Sequence, residues 1–267
     1  LLLLLLLFTL LPTGLAHADL QLTYLANEGY LLDDGAGGKV LIDALFGDGL
    51  DHYPVVPPAT RTDLEAGNPP FDGVDLLLAT HYHDDHFDPQ AVGRFLTANP
   101  QAQLLTTPQA VADLEGSFSG YDAIASRVRA TLPAEGIRQT HRFGVITVTV
   151  FNLHHGRDRN PPVENLGFLV DLGGVRLLHV GDTEVTGADL APLALDDEGI
   201  DVALLPTWMV STPRGVKTVR QRIAPRQVVP IHFARRGDDR ESEIRQLLPE
   251  APILRQALAT TTVSPRR

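Results

Sequence analysis

His81-Tyr82-His83-Asp84-Asp85-His86 sets three imidazoles and two carboxylates directly after the apolar run Val74 to Ala79. The run is short, and Pro69-Pro70-Phe71-Asp72-Gly73 precedes it, so it reads as a buried strand that opens into a loop at Thr80. Loops at strand ends present side chains from a rigid support. Borderline-soft divalent ions accept imidazole nitrogen and carboxylate oxygen. A compact turn can aim His81, His83, Asp85 and His86 inward while Tyr82 and Asp84 point elsewhere. The bland alternative is a solvated polar turn, since His and Asp are common in turns; so many ligand types in so short a stretch favour a metal site.

Downstream, other strands deliver similar side chains to their ends. Val145 to Leu153 alternates with β-branched residues and ends in His154-His155-Gly156. Phe168 to Leu172 and Val175 to Val180 form a predicted hairpin around Gly173-Gly174, whose second arm ends in Gly181-Asp182-Thr183. Val202 to Leu205 closes in Pro206-Thr207-Trp208, and Val228 to Ile231 ends in His232. His179, inside a strand, reads as a hydrogen-bonded core or supporting imidazole rather than a ligand. His141 reads as surface.

Upstream, Leu20 to Leu25, Gly29 to Leu32 and Lys39 to Asp43 are expected to form a β-meander; Asp43, at its end, is either a turn residue or a carboxylate that orients a ligand. Leu45 to Phe71 is rich in Gly, Pro and Asp, with little periodicity. It is expected to be a long loop, as lids and substrate loops are, with Phe46, His52 and Tyr53 its notable side chains. Helices are expected from Asp88-Pro89-Gln90 to Ala98, over Pro108 to Leu114, Lys217 to Ile223 and Glu241 to Leu248, with a frayed tail from Ala259.

The chain has 267 residues, 43% of them hydrophobic, enough for one large core, and a net charge of -11, which disfavours nonspecific nucleic-acid binding. Without Cys there is no disulfide, thiolate nucleophile or thiolate ligand, so His and carboxylate must hold any metal. Leu1 to Leu11 followed by Pro12-Thr13-Gly14-Leu15 and Ala16-His17-Ala18 has the order of a signal peptide. Cleavage after Ala18 would leave a 19–267 domain in the periplasm or outside the cell, with no stable membrane span.

His81-x-His83-x-Asp85-His86, then His154 or His155, Asp182 in Gly-Asp-Thr and His232, in this order, resemble the metallo-β-lactamase-fold hydrolase superfamily. The resemblance runs from about Leu20 to His232. It implies an α+β, four-layer αββα sandwich with two divalent ions, expected to be Zn2+, in a cleft at one edge. By it, His81, His83 and His154 or His155 bind the first ion; Asp85, His86 and His232 bind the second; and Asp182 bridges them. Relatives with a His-Gly step favour His155. Asp85 is the expected catalytic residue. The opening Asn27-Glu28-Gly29 and Leu41-Ile42-Asp43 look most similar to a branch with sugar-lactonase-like members.

Two divalent ions about 3.5 to 4 Å apart make hydroxide available from a shared bridging water near neutral pH and polarise the bond it attacks. The leading expectation is therefore an exported dinuclear hydrolase of a small-molecule ester, lactone or phosphodiester. A mononuclear-iron oxidoreductase would need only two His and one Asp, so the presence of both His86 and His232 counts against it; a noncatalytic metal-binding module would not need the full set. A nucleic-acid phosphodiesterase would predict a basic rim, for which Arg157, Arg159, Arg235 and Arg236 are the candidates. Tyr82 and Trp208 flank the presumed cleft.

Overall fold

Two mixed sheets lie face to face. The computed structural model describes residues 19–47, 51–155, 162–184, 186–235 and 240–266; the expected signal peptide lies outside them. The strands of the first sheet are β1 (Leu20–Ala26), β2 (Gly29–Asp33), β3 (Lys39–Ile42), β4 (Leu76–Leu78), β5 (Gln103–Thr106) and β6 (Val128–Ala130). The second sheet holds β7 (Arg138–Phe143), β8 (Ile146–Asn152), β9 (Leu166–Leu172), β10 (Val175–His179), β11 (Val202–Pro206) and β12 (Gln227–Ile231). A last strand, β13 (Thr260–Val263), returns to the first sheet, giving the orders β13-β1-β2-β3-β4-β5-β6 and β12-β11-β10-β9-β8-β7.

Strand alternation explains the layers. In β3, Val40 and Ile42 enter the core between the sheets, with Leu22, Tyr30, Val148, Phe168, Leu177 and Leu204, while Leu41 points to the outer face. Helices α1 (Pro58–Ala66), α2 (Pro89–Ala98), α3 (Pro108–Ser117) and α4 (Tyr121–Ile124) lie in the connections of the first sheet. Leu64, Phe95, Leu96, Leu114 and Ile124 cover its outer face. Helices α5 (Gly187–Leu190), α6 (Thr207–Val210), α7 (Pro213–Arg222) and α8 (Arg240–Leu247) contribute Leu190, Val210, Val219 and Ile244 to the outer face of the second. The result is the expected αββα sandwich. Fully burying one such side chain contributes roughly 1.5 to 3 kcal/mol, so each layer holds its helices through several contacts.

Strand direction sets where the loops emerge. β3, β4, β5 and β6 are parallel neighbours, as are β10, β11 and β12. Parallel neighbours require crossovers, usually helical, and this corrects the reading of Leu45 to Phe71 as a long loop: α1 is the crossover between β3 and β4. Its sequence conceals it, because only Leu64 is buried and Pro57 precedes it without a side-chain cap. The frayed tail is likewise corrected. β13 pairs with β1 from Leu20↔Val263 to Thr23↔Thr260, and Val263 is its one buried side chain. Helix starts with a Thr or Asp cap before Pro are better marked. Asp88 accepts from the Gln90 and Ala91 amides, and Thr212 caps α7, which begins earlier than Lys217.

Candidate metal centre

The C-terminal ends of β3, β4, β10 and β12, with the segment after β8, meet at one edge of the sandwich, the customary ligand face of parallel strands. They bring together His81, His83, His155 and Asp182 in one group and Asp85, His86 and His232 in another. In the first, His83 Nδ1 lies 3.0 Å from His81 Nε2 and 3.1 Å from His155 Nε2. Asp182 Oδ2 faces that group, 3.7 Å from His155 Nε2 and 4.0 Å from His81 Nε2. Its other oxygen, Oδ1, faces the second group, 3.2 Å from His232 Nε2 and 3.4 Å from His86 Nε2. Asp85 Oδ2 completes the second group at 3.5 Å from His232 Nε2 and 3.6 Å from His86 Nε2.

The pair at the end of β8 separates. His155 is in the first group and buried, whereas the His154 imidazole turns away to Glu135 Oε1 at 2.9 Å. His154 is thus corrected from candidate ligand to an outward side chain; consecutive residues near a strand end face opposite ways.

Neighbouring residues fix which nitrogen each imidazole presents. Asp43, one residue past β3, accepts from the Thr80 amide at 2.7 Å and from the Thr80 hydroxyl at 2.6 Å. The single hydroxyl proton being used there, Thr80 Oγ1 accepts from His81 Nδ1 at 3.0 Å, which leaves the lone pair of His81 Nε2 facing the site. His86 Nδ1 lies 2.9 Å from Asp43 Oδ2, which turns His86 Nε2 toward the site. Asp43 therefore orients ligands, a role that the sequence left open. Gly181 brings Asp182 into place at φ 58, where an added Cβ would lie 2.8 Å from Thr80 Cβ. His232 also stands in the left-handed region, at φ 61, backbone strain of the kind that collects at functional sites.

The electrostatics are those of a cation site. Burial and the nearby His86 keep His81 neutral, with its pKa well below the ordinary imidazole value. For His86 and His232 burial acts in the same direction, but the Asp182 charge outweighs it; His86 is raised well above the ordinary value and His232 to about 10. Asp182 is held well below the usual carboxylate range, burial being outweighed by His86 and His232. The negative field that retains protons on the two imidazoles will also attract a divalent ion, which competes with those protons. Among the described residues, His86 Nε2, His232 Nε2 and Asp182 Oδ1 are buried without a hydrogen-bond partner although they converge. A carboxylate and imidazole nitrogens left in this way fit a borderline divalent ion.

The centre floors a cleft of about 810 Å³ whose wall includes His52, Tyr53, Tyr82, Trp208, Glu184 and Arg240. Tyr53 and Trp208 stand over His232, with ring centroids 4.2 and 5.0 Å from it. Trp208 Nε1 donates to the Thr183 carbonyl at 2.9 Å, so the ring is fixed. Of the four arginines considered for a basic rim, Arg157, Arg159 and Arg236 lie outside the described residues; the Arg235 amide donates to the His52 carbonyl. Sequence reasoning did not single out Arg240, nor the support that the β1–β2 turn gives: Asn27 Nδ2 donates to Asp85 Oδ2 at 3.2 Å. In the sequence the Asn27-Glu28-Gly29 step carried only the family resemblance; the folded arrangement brings it under the candidate ligands.

Fold and site together define a metal-dependent hydrolase of the metallo-β-lactamase fold. The chain belongs to the β-lactamase superfamily domain family, whose model matches residues 39–233. A UPF0173 metal-dependent hydrolase of Symbiobacterium thermophilum is 27% identical over 219 residues, covering 80% of this chain and 84% of the relative. Among solved structures, the metallo-β-lactamase fold protein YhfI of Bacillus subtilis is similar at a TM-score of 0.62 and 14% identity, over 92% of this chain and 99% of that one. CmlA of Streptomyces venezuelae, a diiron β-hydroxylase, shares the fold at a TM-score of 0.58 and 15% identity, over 93% of this chain and 54% of that one.

Proposed function

We propose that this chain is an exported hydrolase that uses two divalent ions, zinc in the resting protein, to cleave a small-molecule ester, lactone or phosphodiester. One observation carries the reading: Asp182 turns one oxygen toward each ligand group, the disposition of a carboxylate shared between two ions. His81, His83 and His155 would hold one ion, Asp85, His86 and His232 the other. When bound there, such ions would supply an acidified water near neutral pH and Lewis-acid polarisation of the bond under attack.

The chain supplies orientation. Asp85, held by Asn27 and lining the cleft, accepts a hydrogen bond from the attacking water and fixes its approach. Burial would raise the Asp85 carboxyl, but the His232 and His86 imidazoles outweigh it and hold the group below its ordinary value, so it is ready to accept. Tyr53, Tyr82 and Trp208 give the cleft flat apolar walls that exclude water, and its volume is that of a small-ligand site. Arg240, whose Nη1 donates to Thr207 Oγ1 at 3.0 Å, faces the cleft and suits a substrate with an anionic group. Asp84 and Glu184 on the same wall oppose a polyanion, in line with the net charge of -11. Export rests on the apolar run at Leu1 to Leu11 and on Ala16-His17-Ala18. No helix among the described residues is long and apolar enough to cross a membrane.

A panel of lactones, carboxylic esters and phosphodiesters, assayed with wild type and Asp85→Asn, tests this reading. We expect turnover of at least one class, lowered by about 10² or more in the variant while its circular dichroism is unchanged. Equal turnover by both proteins would remove Asp85 from the mechanism, and oxygen-dependent oxidation by an iron-loaded protein would replace hydrolysis. Amino-terminal sequencing of protein recovered from the periplasm or medium should begin at Asp19; retention in the cytoplasm would refute export.

A further inference from the structure

The tip of the β1–β2 hairpin is built against expectation. Two-residue turns ordinarily project polar side chains into water, yet Asn27 and Glu28 are buried, Glu28 completely. The tip is driven under the metal centre. Asn27, at φ 47, reaches Asp85, and its carbonyl lies 3.5 Å from the His232 amide nitrogen. Gly29 permits the approach, since a Cβ there would lie 2.7 Å from the Asp43 carbonyl oxygen.

Glu28 is then held by its backbone. The Gly181 amide donates to His179 Nδ1 at 3.1 Å, which places the His179 proton on Nε2, 3.2 Å from the Glu28 carbonyl. The Glu28 side chain is not satisfied in this way. Among the described residues neither carboxylate oxygen has a hydrogen-bond partner, although Oε2 lies 3.7 Å from His179 Nε2 and 4.0 Å from His86 Nδ1. The carboxylate also shares one potential ligand cluster with Asp182 and His232 and another with Asp43 and His86. A buried carboxylate without hydrogen bonds is costly unless a cation compensates it. Burial and the Asp182 charge raise the Glu28 carboxyl well above the ordinary carboxylate value; a divalent ion among Glu28, Asp43, Asp85 and Asp182, all buried around this half, would supply the compensation.

We propose that Glu28 is a further carboxylate of the metal centre, a positioning residue that retains the divalent ion of the Asp85–His86–His232 half. The inference rests on the two-ion reading above. It gives the second half a support that the first half lacks, because among the described residues the His81–His83–His155 group has no carboxylate but Asp182 within its cluster.

Zinc affinity of the full chain, measured by competition with a chromophoric chelator, tests it without reference to turnover. Wild type is expected to bind two ions; Glu28→Gln, with the same size and no charge, should bind one as tightly and the other at least about tenfold more weakly. Added to His86→Ala, which already lacks that half, Glu28→Gln should cost nothing further. Glu65→Gln, which removes the same charge far from the centre, should leave both affinities unchanged. If circular dichroism shows that Glu28→Gln does not fold, Glu28→Asp, which keeps the charge but withdraws it by one methylene, takes its place with the same selective loss expected. Two unchanged affinities, an equal loss at both ions, or an additive loss in the His86→Ala background would overturn the proposal while leaving the two-ion reading standing. A wild type that takes up no zinc would overturn both.

Discussion

The two halves of the centre are built from similar side chains but on different supports. The half with His81, His83 and His155 joins two elements, and His83 is only part-buried on the cleft wall. The half with Asp85, His86 and His232 lies deeper and is backed by Asp43, Glu28, His179 and Asn27. Both halves reach the cleft, but the first is the more open and the second the more firmly anchored. An open site and an anchored one suit different tasks: one can exchange a substrate atom, while the other keeps its charge in place.

The largest effect is expected where the halves join. Asp182→Asn removes the charge that both share; it should release both ions and lower turnover about 10³-fold, roughly 4 kcal/mol of transition-state stabilisation, as steady-state kinetics and elemental analysis would register. Turnover within tenfold of wild type would refute the shared role. His83→Ala and His86→Ala should each leave about one ion per chain, but from opposite halves, and full occupancy in either would remove that residue from the ligand set. Asp43→Asn sharpens the comparison. It weakens the hold on the His86 tautomer directly and on His81 only through Thr80, so zinc affinity should fall about 10- to 100-fold, mostly in the anchored half; equal losses in both would erase the distinction.

Outside the centre the effects should be small. Among the described residues His154→Ala breaks the side-chain contact with Glu135, which is largely exposed, and it should cost less than about 1 kcal/mol with zinc content unchanged. Loss of an ion in this variant would return His154 to the site. Smallest is Glu65 on α1. Burial raises its carboxyl, but the hydrogen bonds from Arg94 and Arg61 outweigh that and hold it below 4.5. A depressed folded-state value stabilises above the unfolded value and is lost as pH falls through the folded one. Glu65→Gln should therefore lower stability by about 0.5 to 1 kcal/mol near neutrality and by less below pH 4.5; a pH-independent difference in denaturation would contradict the assignment.

The open half and the anchored half were not equally legible in the sequence. His81 to His86 could be read because one strand end carries four candidate ligands, and Asp182 and His232 because each closes an apolar run. The choice between His154 and His155 depended on the phase of the chain beyond β8, which composition does not fix. Glu28 had no role assigned from the sequence, and Asp43 stayed open between a turn residue and a carboxylate that orients a ligand, since both roles depend on β1, β2 and β3 bringing their ends beneath a loop far along the chain. The αββα layering was an expectation from the resemblance that the ligand order carried, and strand alternation in the structure explains it. Helix α1 and strand β13 were hidden for one reason: each buries a single apolar side chain, too few to leave a period.

Elemental analysis of the purified chain, without added metal and again after reconstitution with zinc, tests the central claim most directly. The account predicts about two divalent ions per wild-type chain and close to none in Asp182→Asn. A wild-type chain that holds no ion in either preparation would contradict it.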